Sequence, residues 1–76
     1  MHQRQREPVM EYHQEHLVRM ANQIAGGVPS REDVAGQVSH HMRQFWTPVM
    51  LKELSNIAAD KPDCVDAAVH AALAAL

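Results

Sequence analysis

The chain has 76 residues, a formal net charge of −2, 46% hydrophobic residues and one cysteine, Cys64. That length allows a single domain that buries only about 60% of its unfolded surface, and a lone thiol excludes an internal disulfide. A domain this small ordinarily needs a crosslink, a metal or a partner to be stable, so a partner chain is expected from size, in a reducing cytoplasm.

Residues 1–8 form a polar stretch without a helical stripe, read as a flexible tail. The start MHQRQREP lacks the apolar core of a secretory signal. A single helical domain is expected over 9–76. Pro8 suits a first helical turn, where its missing N–H costs nothing. Met10, His13, Leu17, Met20, Ala21 and Ile24 then recur at spacings of three and four, one face of a helix over about 9–25. Gly26-Gly27 is expected to supply a left-handed stop.

Ser30 is a good N-cap, and Asp33 three residues later favours the positive helix end. Helix two is expected over about 31–46, with Ala35, Val38, Met42 and Phe45 as its inward stripe. Phe45 therefore reads as core. Trp46 stands off that line, since neighbours on a helix point about 100° apart. Two roles stay open for it: a plug in the corner between helices two and three, or a partly exposed anchor for a partner.

Pro48 disfavours helical geometry at Thr47, so Thr47 can cap helix three with Pro48 in its first turn. That helix is expected over about 48–59, with Met50, Leu51, Leu54, Ile57 and Ala58 as its apolar side. Pro62 closes it and opens helix four, about 62–76, whose stripe is Val65, Ala68, Val69, Ala72, Leu73 and Leu76. Only Asp66 and His70, read as an i, i+4 surface pair, mark a wet side. No alternating β pattern occurs. The fold class is all-α, a compact bundle of about four short helices.

Two surfaces invite a partner. Helix four is apolar nearly all round, which normally means burial on more than one face, although alanine is also simply the best helix former. On helix one, Arg19, Asn22 and Gln23 share the side opposite the apolar stripe, where they form either an ordinary solvated face or a contact.

Catalysis is not expected. Six histidines invite a metal reading, but the spacing of His13 and His16, and of His40 and His41, lacks the HExxH or paired CxxC pattern of a zinc site. Cys64 has no histidine near it in sequence to act as a base. Gly26-Gly27 lacks the GxxxxGK[ST] pattern of a phosphate loop. The seven basic residues are scattered, so no stripe for nucleic acid exists. The apolar stretch from Cys64 to Leu76 falls short of the roughly 20 residues of a membrane span.

Two segments carry a resemblance. LVRMANQIA (Leu17 to Ala25) followed by HHMRQFWTPVM (His40 to Met50) resembles the delta subunit of soluble NAD-dependent molybdenum formate dehydrogenases. That family's pattern is an LVxMANQI block followed by an H-x-x-x-FW-x-P-x-M block, then an alanine-leucine helix. Gly26, Gly27 and Val28 depart from it, since family members often carry bulky aromatics after the first block.

The resemblance implies a cytoplasmic accessory subunit with no redox centre of its own. It would dock on the catalytic subunit, with the other subunits as further contacts, and assemble, stabilise or mature it. The larger subunits would carry bis-molybdopterin guanine dinucleotide, iron–sulfur clusters, FMN and NAD. Matched position by position, Asn22, Gln23, Arg43, Phe45, Trp46, Pro48 and Met50 are the residues the family pattern singles out. The candidate partner-binding residues are seven: Arg19 from the outward face of helix one, Asn22, Gln23, Arg43, Trp46, Pro48 and Met50. The alternatives are a self-associating helical adaptor, pairing through helix four as a twofold dimer, and a small DNA-binding helical protein, against which the missing basic face argues.

Overall fold

The computed structural model describes residues 12–76. The expectations placed on Met10, on Pro8 and on the tail over 1–8 lie outside the described residues. The described chain is built from four α-helices and one 3-10 turn: α1 Tyr12–Gly26, α2 Val34–Phe45, α3 Pro48–Asp60, the turn Pro62–Cys64, and α4 Ala67–Ala74. The all-α bundle read from the sequence is the fold observed.

Helix α1 buries Leu17, Val18, Ala21 and Ala25, with Met20 and Ile24 packed against them. Its apolar side is wider than the expected stripe because α1 touches α2, α3 and α4 at once. Val18 and Ala25 face neighbours that a single stripe does not anticipate. His13 is exposed and pairs with Glu53 of α3, with Nε2 3.1 Å from Oε1.

The end of α1 differs from expectation. Among the described residues no glycine has a positive φ, so Gly26-Gly27 is not a left-handed stop. The Gly27 amide instead donates to the Ile24 carbonyl in a tighter, 3-10-like last turn. A side chain at Gly27 would sit 3.2 Å from the Gln23 carbonyl oxygen. Close approach, not handedness, is what glycine supplies there.

Helix α2 is capped by Asp33 rather than Ser30. Asp33 holds φ 52°, ψ 50°, and its carboxylate accepts from the Gly36 amide at 3.1 Å. Aspartate is among the few residues that tolerate this left-handed geometry. Ser30 serves the preceding turn, accepting from the Glu32 amide. The Gln37 amide group donates back to the carbonyls of Ser30 and Glu32, fixing the loop onto the helix it enters.

Thr47 caps α3 as expected, its hydroxyl accepting from Met50 at 3.2 Å with Pro48 in the first turn. Helix four is shorter than the sequence reading. The chain makes one 3-10 turn from Pro62, extends at Val65, and starts α4 only after Asp66, whose carboxylate accepts from Ala68. That role leaves Asp66 unpaired with His70, whose Nε2 lies 2.9 Å from the Pro62 carbonyl oxygen. Cys64 accordingly sits in the 3-10 turn and is exposed, not in a first helical turn.

The core centres on Leu17, Val38, Met42, Leu54 and Val69, all essentially inaccessible. Helix α4 lies chiefly against α2, and α1 against α3. Val69 and Ala72 are the parts of α4 that are buried, while Ala67, Ala71 and Ala74 face outward.

Candidate functional site

Helix α2 ends at Phe45, and Trp46 leaves it with extended backbone, φ −102° and ψ 139°. That departure decides where two large aromatics go. Leaving the 100° progression of the helix turns the indole inward, and Trp46 is only 6% exposed. Trp46 is the corner plug between α2 and α3. Phe45, expected in the core, is 68% exposed. The phenyl ring lies on the surface against His41, ring centroids 4.8 Å apart.

Beside this corner an open groove of about 860 Å³ runs between α1, the loop after it and α2. Met20 and Ile24 of α1, Val28 of the loop, and Trp46 and Met50 line it with apolar surface, and Phe45 and His41 stand at its α2 side. Its polar lining is mostly amide and imidazole: Gln23, Gln37, His40 and Gln44. Asp33 also borders it, with its carboxylate committed to capping α2. Val49, 73% exposed in the first turn of α3, lies apart from this groove and lines a separate hollow with Lys52, Glu53 and Asn56.

The seven residues singled out from sequence fall into separate environments. Gln23, Trp46 and Met50 meet in the groove. Arg19, Asn22 and Gln23 share a second hollow of about 510 Å³ with Glu15, Val18 and Cys64. Gln23 borders both hollows.

Asn22 is half-buried, and both ends of its amide are engaged. Its nitrogen donates to the Cys64 carbonyl at 3.1 Å, and its oxygen accepts from the Asp66 amide at 2.9 Å. Arg43 is exposed but reaches across to the end of α4, donating to the Ala75 carbonyl at 2.8 Å. Pro48 is exposed at the start of α3. Asn22 and Arg43 thus hold the two ends of α4, a structural duty that spacing along the chain does not disclose.

Sequence reasoning missed Phe45 as a surface residue, and with it His41 and Met20 as groove residues. The i, i+4 spacing of His41 and Phe45 was the available signal, since such pairs meet on a helix surface. Among the described residues no three His, Cys, Asp or Glu side chains converge as metal ligands would. None of the described helices is long and apolar enough to cross a membrane.

Residues 16–73 match a family model described as NADH-dependant formate dehydrogenase delta subunit FdsD. No curated protein and no solved structure matches the chain. The matched stretch holds the groove, the Phe45–Trp46 corner and all seven residues named from sequence. The chain belongs to the family of NADH-dependent formate dehydrogenase delta subunits.

Proposed function

We propose that this chain is a non-catalytic accessory subunit of an NAD-dependent formate dehydrogenase. It docks on the molybdenum-cofactor catalytic subunit in the cytoplasm and assembles, stabilises or helps mature it. Bis-molybdopterin guanine dinucleotide, iron–sulfur clusters, FMN and NAD stay with the larger subunits. The family match supplies the complex. The observation that carries docking is the bare Phe45 at the side of an open, largely apolar groove.

An exposed aromatic beside a concave apolar surface is the chemistry of an interface anchor, because covering it removes a large apolar area from water. The proposal therefore moves the anchor from Trp46 to Phe45. Trp46 and Met50 contribute groove lining, and Gln23, with Arg19 beside it, offers hydrogen bonds at the rim.

Co-expression of the tagged chain with the catalytic subunit tests this reading. Co-purification by the wild type and its loss in Phe45→Glu, with helicity unchanged by circular dichroism, is the expected result. A wild-type chain that fails to co-purify, or that instead forms a stable homodimer indifferent to the catalytic subunit, overturns it.

A further inference from the structure

We draw no further inference here: the strongest candidate, the open apolar groove between α1 and α2 with Phe45 at its side, belongs to the site already described, and nothing in the structure shows which segment of a partner covers it.

Discussion

Asn22 on α1 and Asp66 at the start of α4 are joined by a hydrogen bond from the Asp66 amide to the Asn22 side-chain oxygen, 2.9 Å long. Asp66 uses its own carboxylate to cap α4 through Ala68, also at 2.9 Å. One helix thereby fixes where another begins. The link spans 44 positions of sequence and is completed by the Asn22 amide donating to Cys64.

Replacing Asn22 with alanine removes both bonds and leaves the Cys64 carbonyl and Asp66 amide to find water. At roughly 0.5–1.5 kcal/mol per bond, Asn22→Ala is expected to cost about 1–3 kcal/mol. Asn22→Asp keeps the acceptor for Asp66 but sets a carboxylate against the Cys64 carbonyl, so it should recover only part of the loss. Urea midpoints give the stability. Faster hydrogen exchange confined to α4 amides shows that the seating of that helix is what fails.

Phe45 and Trp46 should behave oppositely although they are neighbours. Phe45→Ala alters an exposed ring and is expected to change stability by less than about 0.5 kcal/mol, while weakening association with the catalytic subunit by about tenfold or more, as an interface anchor does. Trp46→Ala empties the corner and should cost about 3–5 kcal/mol, enough to unfold a domain of this size. Thermal melts followed by circular dichroism, paired with co-purification, separate the two. A cooperative melt in Trp46→Ala close to that of the wild type would refute its place as the plug.

Asp33 and Gly36 are coupled through the cap of α2. A methyl group at Gly36 would collide with the Asp33 carboxylate, so Gly36→Ala disturbs the cap while removing the roughly 1 kcal/mol penalty of a helical glycine. The two effects oppose, and the single variant should be neutral to mildly destabilising. Asp33→Gly keeps the left-handed backbone easy and costs a few tenths of a kcal/mol as a cap residue. In that background Gly36→Ala meets no carboxylate and should stabilise by about 0.5–1 kcal/mol. A double-mutant cycle measured by chemical denaturation reads the coupling directly, and strict additivity would show that the two side chains do not compete.

Leu54 is fully buried in α3, and Leu54→Ala is expected to cost about 2–5 kcal/mol. The isolated variant should be largely unfolded. Binding to a partner shifts that equilibrium by mass action, so co-expression with the catalytic subunit should restore soluble, helical protein. Solubility and circular dichroism with and without the partner provide the check.

Arg43 holds the far end of α4 through the Ala75 carbonyl. Because the guanidinium is exposed, Arg43→Ala should cost under about 1 kcal/mol, near the typical worth of one hydrogen bond. Its signature is faster exchange at the last amides of α4 with the rest of the bundle unchanged. Uniform acceleration across all four helices would instead make Arg43 a global determinant of the fold.

Local chemistry was legible from the chain. The spacing of apolar residues gave four helices, because a helix must present one side to a core whatever that core is. Thr47 and Pro48 announced the start of α3, since their caps act on backbone within the same turn. The MANQI and FWTP segments carried the family, which the match over residues 16–73 bears out.

What depended on distant residues was not legible. The burial of Trp46 and the exposure of Phe45 go with the extended backbone at Trp46, which a helical stripe does not record. Asn22 read as part of a solvated face or a partner contact, not as a clamp within the bundle, because its partners lie 42 and 44 positions away. The same limit hid the break between the 3-10 turn and α4, where Asp66 acts as a cap rather than as a partner for His70. Periodicity records which side of a helix avoids water. Which neighbour covers that side is settled only when the helices meet.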